Sequence, residues 1–492
     1  MTSTDRRGGA GEAADSTSPA RARIEILFVA FGALAVSLSQ SLLVPALPTL
    51  PAELGLGAGS VEWLLTATLL VAAIAVPVFG KLADMVGKRL MLLVALGALV
   101  VGSLITALTS DFTLLIVGRS IQGLAVAAVP LGISLLNSVL PRERAGGAVA
   151  LTSAMLGVGG ALGLPLAGVV VEYADFHLLF WITAVAGAVA FVGVLTVVSE
   201  APGRTGGRLD VVGTVLLSLA LLTFLVPLSE GATWGWTSPL TWGILILSVV
   251  LAAVFVRTQT RRREPLVDMT LLRSRPILLT NTVSLIFGFA LFASFLGTAP
   301  FVQADPRAGY GFGSSIIVSG LVLLPSGLAQ LALAPVAARM IQRFGAPVTM
   351  AAGSAVIAVG YALRLVLDGQ LWQVTVGTTV IGAGVGMGFA ALPSLVATHS
   401  PLSEIGASNG INSLFRNIGG SIGSAASAGI LASFTITVGG TVLPSLLAFR
   451  ILFAVACVLA VVAALTSLRI PRDTQEGVPA STLRTSSARN ES

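Results

Sequence analysis

Charge is what this sequence has least of. Only 10% of its 492 residues are Asp, Glu, Lys or Arg, against about 25% in an ordinary soluble domain. With 55% apolar residues, a water-soluble chain could not hide its apolar surface in one core, whereas a bilayer acts as the solvent for it. Cysteine occurs once, at Cys457, which excludes a disulfide framework and a cysteine-built zinc site. Histidine occurs only at His177 and His399, in expected loops and without metal-ligand spacing. Lysine occurs only at 81 and 88; this arginine bias with 55 glycines resembles high-G+C bacterial coding. The net charge of +6 comes from short loops without interleaved aromatics, so no nucleic-acid platform is present. No Gly-x-x-x-x-Gly-Lys-Ser/Thr, nucleophile elbow or His-Glu-x-x-His occurs, so nothing calls for catalysis, a cofactor or a metal. Gly382-x-Gly384-x-Gly386-x-Gly388 lies inside an apolar run with no preceding strand and reads as close helix packing.

What is abundant is the long apolar run. A spanning helix needs about 20 mostly apolar residues, and that rule predicts spans near 26–50, 62–82, 90–109, 112–138, 148–172 and 177–198. Two more follow near 211–229 and 239–256, then six near 276–303, 315–337, 347–367, 372–397, 408–434 and 446–468. The run 408–434 is polar and glycine-rich, and charge placement decides for it. With fourteen spans, the loops on the N-terminal side carry Arg6, Arg7, Arg21, Arg23, Lys81, Lys88, Arg89, Arg142, Arg144, Arg204, Arg208, the cluster Arg257 to Arg275, Arg339 and Arg343. The opposite loops hold mainly acids, among them Glu53, Glu62, Asp111, Asp175, Glu230, Asp305 and Asp368, with Arg307 as the exception. Basic loops favour the cytoplasm, so both termini are expected there, in a multi-pass plasma-membrane protein of bacterial type. Trp63, Trp181, Trp234, Trp236, Trp242 and Trp372 all fall at the expected outer interface.

Two segments recur at an offset of about 260 residues. Gly159-Gly160-Ala161-Leu162-Gly163 resembles Gly419-Gly420-Ser421-Ile422-Gly423, and the turn Gly80-Lys81-Leu82-Ala83-Asp84-Met85-Val86-Gly87 aligns with Ala338-Arg339-Met340-Ile341-Gln342-Arg343-Phe344-Gly345. The expected organisation is an all-α membrane protein: a tail (1–25), a six-helix bundle (26–200), an inserted hairpin of two spans (201–258), a linker (259–275), a second six-helix bundle (276–468) and a tail (469–492). No folded soluble domain fits in tails of this length.

Gly80, Asp84, Gly87, Lys88 and Arg89 join the second and third spans. Glycines permit the tight turn, and Asp84 can accept hydrogen bonds from arginines or cap a helix of the other half, giving a conformational latch. The alternative is an ordinary positive-inside loop. This motif resembles the cytoplasmic signature of the major facilitator superfamily, and the span count is similar to its fourteen-helix drug:proton antiporter branch, over roughly residues 26–468. Leu115-x-x-x-Arg119-x-x-Gln122-Gly123 matches the family's second signature, where such an arginine is associated with proton coupling and the latch carboxylate. By physics alone, Arg119 within an apolar span needs a partner or water, and simple pairing with Asp84 is the structural alternative. Gly157-x-Gly159-Gly160-x-x-Gly163-Leu164-Pro165-x-x-Gly168 resembles the antiporter signature of the fifth span, with Leu164 interrupting the family's Gly-Pro. It reads either as an exchange hinge or as a packing face.

One departure bears on coupling. The antiporter branch commonly carries an Asp in the first span, and Ser39 stands here at that position. No Asp or Glu lies in the middle of any expected span, so either a boundary carboxylate such as Glu62 titrates or coupling differs from the family norm. Ser39, Gln40, Asn281, Asn412 and Arg416 are candidate cavity residues, against the alternative of interhelical hydrogen bonds. A cavity without carboxylates favours neutral or anionic substrates. The resemblance thus implies efflux of amphipathic small molecules, drugs or antibiotics, in exchange for protons, with no obligate protein partner. A dedicated exporter of one endogenous metabolite is the alternative within transport, and a membrane sensor the alternative outside it.

Overall fold

The computed structural model describes residues 19–46, 50–56, 58–201, 209–262, 265–267, 269–401, 405–439 and 441–471. Most of both expected tails, and the side chain of Glu62, lie outside the described residues. In a bilayer core each backbone amide must be satisfied within its own segment, so apolar runs of this length become helices. The described chain forms α1 (Pro19–Ser41), α2 (Leu50–Leu54), α3 (Ala58–Val86), α4 (Lys88–Ala107), α5 (Phe112–Leu124), α6 (Ala128–Val139), α7 (Arg142–Tyr173) and α8 (His177–Val197). There follow α9 (Val211–Trp234), α10 (Pro239–Gln259), α11 (Met269–Arg273), α12 (Arg275–Gln303), α13 (Ile316–Phe344), α14 (Ala346–Val366), α15 (Leu371–His399), α16 (Ile405–Ser433) and α17 (Leu446–Leu468).

Thirteen of the spans, with α5 and α6 joined through a 3-10 turn, are long and apolar enough to cross a membrane. α16 covers the remaining expected span, 408–434, the thirteenth in chain order. Its polarity leaves it out of that set, yet its 29 residues make a helix about 43 Å long, packed against α3 and α12. Asn409, Asn412, Ser413 and Leu414 of α16 are all buried, so its polar groups face protein rather than lipid.

Several boundaries differ from expectation. α1 begins at Pro19 rather than near 26, and ends at Ser41 because Pro45 cannot supply an amide hydrogen to continue it. The segment before α17 forms a small hairpin, β1 (Thr435–Val438) paired antiparallel with β2 (Thr441–Pro444), where a plain loop was expected. Ser445 N–H bonds Phe434 O at 2.7 Å and closes that hairpin.

Two hydrophobic cores organise the bundle. The buried residues of one lie between Ala22 and Ala201 and those of the other between Val283 and Ile470, and the half-buried Leu156 packs against both. The two halves meet along two flanks. On one, α7 runs against α13; on the other, α3 meets α16, and α9 covers that junction by packing on both. Leu70 and Ala73 of α3, Leu217 and Leu221 of α9 and Leu414 of α16 share one cluster there. The α9–α10 hairpin is fastened at its base by Asp210, which caps α9 through Gly213 N–H at 2.9 Å, accepts from Gln259 Nε2 at 2.7 Å and pairs with Arg262 at 2.8 Å.

Candidate functional site

The turn between α3 and α4 is made by Gly87, whose φ of 130° is open to glycine and strained for other residues. It lets Lys88 turn inward, where its Nζ donates to Ser138 Oγ at 2.7 Å. Arg89 donates through its backbone N–H to Glu200 Oε1 at 3.1 Å and through Nη2 to Leu195 O. Asp84 is 6% exposed and accepts the Ala407 N–H at 3.2 Å, in the first turn of α16. The first amides of a helix have no intrahelical partner and carry its positive end, so a carboxylate placed there bridges the two halves of the bundle. Gly80 lies within α3, one turn before Asp84.

Arg119 is 1% exposed on α5 and sits apart from Asp84. Its Nε donates to Leu64 O at 3.0 Å, and its Nη1 to Ser39 O at 3.2 Å and to Gln122 Oε1 at 2.7 Å. Gln122 Nε2 passes the chain on to Ser103 Oγ at 2.8 Å, which also accepts from Thr183 Oγ1 at 3.0 Å. The partner demanded by a buried guanidinium is therefore a set of carbonyl oxygens and an amide, drawn from α1, α3 and α5, and hydroxyls of α4 and α8 extend the network. Gly123 allows this convergence: a β-carbon there would lie 2.7 Å from Thr68 O.

The glycines of α7 divide between two faces. Gly159 and Gly163, one turn apart, lie against Ser37 and Ser41 of α1, and Ser41 Oγ donates to Gly159 O at 3.1 Å. Gly157 and Gly168 face Gln330 and Ile317 of α13, while the backbone at Pro165 fills the space over Gly320. α7 stays helical through Pro165, from Arg142 to Tyr173. The geometry is that of a packing element on both sides, small residues permitting backbone contact.

Between the halves lies a cavity of about 290 Å³. Gln40 and Arg416 line it; Ser39, Asn281 and Asn412 do not. On α1 the lining positions 36, 37, 40 and 41 follow a helical face, which leaves Ser39 out: its hydroxyl donates to Val36 O at 2.9 Å and its carbonyl accepts from Arg119. Asn412 Nδ2 donates to Asn281 Oδ1 at 3.0 Å, and Ser284 Oγ donates to Asn412 O at 3.0 Å, so these residues tie α12 to α16. Arg416 donates to Ser413 Oγ at 3.2 Å and lies 5.2 Å from the centre of the Phe389 ring. Phe292 and Phe295 of α12 complete an aromatic wall that sequence reasoning did not single out. Their spacing of three on one helical face was the available signal.

Arg364 of α14 was missed as well. It is 1% exposed, its guanidinium carbon lies 4.9 Å from the Phe301 ring centre and 4.8 Å from that of Phe453, and none of its nitrogens makes a hydrogen bond among the described residues. Four residues on, Asp368 is turned to Arg450 at 3.5 Å.

A bundle of this kind, with a lined cavity between two cores, has counterparts among known proteins. The chain is 28% identical over 423 residues to an uncharacterized MFS-type transporter of Mycobacterium tuberculosis, covering 85% of this chain but 60% of that protein's length. It is 27% identical over 412 residues to the tetracenomycin C resistance and export protein of Streptomyces glaucescens, covering 83% and 76% of the two chains. Multidrug resistance protein Stp of Mycobacterium tuberculosis is 27% identical over 416 residues, covering 84% and 76%. The crystal structure of the human organic anion transporter MFSD10 (TETRAN) superposes with a TM-score of 0.63 at 16% identity, covering 91% of this chain and 99% of that one, a likeness of fold. The family model described as Major Facilitator Superfamily matches residues 29–424 and again 285–490, and the chain belongs to that superfamily of membrane transporters.

Proposed function

We propose that this transporter exports amphipathic small molecules across the plasma membrane in exchange for protons, with both termini in the cytoplasm. The observation that carries the reading is the cavity between the two cores. Its wall is apolar and aromatic, through Leu156, Leu164, Phe292, Phe295 and Phe389, and its one charged lining residue among the described residues is Arg416. Such a surface takes up an apolar body without a specific shape, and a cation at its edge favours neutral or anionic groups over cations. The names of two relatives, an export protein for tetracenomycin C and a multidrug resistance protein, support the same class of cargo.

Transport would proceed by rocking of residues 26–198 against 276–468, with the face bearing the arginine-rich turns inside the cell. No carboxylate lines the cavity among the described residues, so proton coupling would act outside it. Asp84 would serve: its protonation would remove the charge that holds the Ala407 amide and release the latch between the halves. Everted membrane vesicles, supplied from outside with a panel of amphipathic acids, neutral compounds and cations, test the whole reading. Uptake of the first two classes that collapses with the pH gradient is expected, as is its loss in Asp84→Ala at normal membrane insertion. Equal uptake with and without the protein would overturn export, and uptake that follows membrane potential alone would overturn proton exchange.

A further inference from the structure

A second cavity, of about 550 Å³, opens between α1, α7 and α13 at the arginine-rich face. Arg23 of α1, Arg144 of α7 and Arg339 of α13 line it together with Ile26, Leu27 and Gln342. All three arginines are exposed, and none has an acidic partner among the described residues. Like charges gathered around one cavity repel unless an anion lies among them.

The internal repeat indicates what kind of anion. In the turn 80–87 aligned on 338–345, Lys81 falls on Arg339 and Asp84 on Gln342. The closing glycines Gly87 and Gly345 both take positive φ, 130° and 87°. At the first turn the chain's own carboxylate, Asp84, bridges to the Ala407 amide at 3.2 Å. The offset that carries Gly159 to Gly419 carries Gly147 to Ala407, and Gly147 lines the second cavity. The same junction is thus built twice, once with a carboxylate and once with a neutral amide amid three cations.

We infer that this cavity binds the phosphate of an anionic phospholipid, which takes the part that Asp84 plays in the other repeat. Leu27, 59% exposed, continues from the cavity onto the lipid-facing surface and gives the acyl chain its path. That continuity favours a lipid over free phosphate. Because Arg23 and Arg144 come from one half and Arg339 from the other, an occupied site holds the halves together and favours the state in which this face is closed.

The test is binding to the full chain, which stands apart from any assay of export. In nanodiscs of phosphatidylcholine doped with phosphatidylglycerol, native mass spectrometry should show phosphatidylglycerol retained selectively and not displaced by excess inorganic phosphate. Each of Arg23→Gln, Arg144→Gln and Arg339→Gln should weaken retention by about fivefold, the effect of one basic residue at a charged membrane surface. Gln342→Glu, which restores the carboxylate of the other repeat, should abolish the preference for phosphatidylglycerol, with a melting temperature in pure phosphatidylcholine at least that of the parent. Equal retention of the two lipids, displacement by inorganic phosphate, or an unchanged preference in Gln342→Glu would each overturn the site. Should an arginine variant fail to fold, Gln342→Glu decides alone.

Discussion

The two halves of this transporter each bury an arginine, and they do so by opposite means. Arg119 in the first half is held by two backbone carbonyls and by Gln122, with Ser103 and Thr183 extending the chain of bonds. Arg364 in the second half is held by the faces of Phe301 and Phe453, with no hydrogen bond to its nitrogens among the described residues. Directional bonds fix both the position and the plane of a guanidinium, whereas ring faces attract the charge without fixing its plane. The first half therefore has a rigid polar centre and the second a softer one. A buried charge can be satisfied in two ways, and only the first specifies geometry.

Removing the charge should break the comparison open. Arg119→Met leaves Leu64 O, Ser39 O and Gln122 without their donor and is expected to cost about 2–4 kcal/mol of stability, read from thermal unfolding in detergent, with loss of transport. A variant as stable as the parent would show that the network contributes little. Ser39→Asp comes next in size. The Ser39 carbonyl already accepts from Arg119, so a carboxylate at this residue adds a titratable group beside the guanidinium. The expected outcome is an efflux rate that depends more steeply on pH than in the parent, and an unaltered pH profile would refute it.

Arg364→Met should have the opposite sign to Arg119→Met. Replacing a buried, unbonded charge by an apolar side chain of similar reach is expected to be neutral or to stabilise by about 1–2 kcal/mol. Destabilisation matching that of Arg119→Met would mean that Arg364 has a partner as directional as Arg119 has. The smallest effect concerns the loop between α7 and α8. There the Asp175 carboxyl is held below its usual range, chiefly by the His177 backbone N–H at 2.7 Å. A depressed carboxylate stabilises above its unfolded value of about 3.9 and loses that contribution only as pH falls through its lower folded value. The unfolding temperature of Asp175→Asn should therefore stay below that of the parent down to about pH 5 and converge with it only below about pH 4; convergence near neutrality would contradict the assignment.

How much of this was legible in the sequence depends on the range of the interaction involved. The spans followed from apolar length, and even α16 could be placed because arginines on either side of it require one more crossing. Asp84, Gly87 and Arg119 stood out by their motifs and by the cost of charge in lipid, whereas the groups that Asp84 and Arg119 bond, Ala407 for one and Leu64 and Ser39 for the other, lie far off in sequence. Which face of a helix meets which neighbour was harder to read. Ser39 and Gln40 are adjacent, yet Gln40 lines the cavity and Ser39 does not, its hydroxyl bonding Val36 O within α1. Arg364 lies at the end of its expected span, where an arginine ordinarily reaches out to the headgroups. Its burial is imposed by Phe301 and Phe453, from helices distant in sequence. Asn281 and Asn412 are polar residues within spans like Arg416, and only their mutual hydrogen bond separates them from the cavity.

The two-sided glycine surface of α7 has a mechanical consequence. Where α7 meets α13, backbone lies on backbone, so relative motion trades one set of weak dispersion contacts, each about 0.1–0.2 kcal/mol, for another. At the opposite flank, between α3 and α16, motion must break a directional bond from the Ala407 amide to the Asp84 carboxylate and carry the α9–α10 hairpin along. Within the chain, one flank rests on close packing and the other on a directional bond, so loss of the Asp84–Ala407 contact is expected to loosen the second flank and leave the first unchanged.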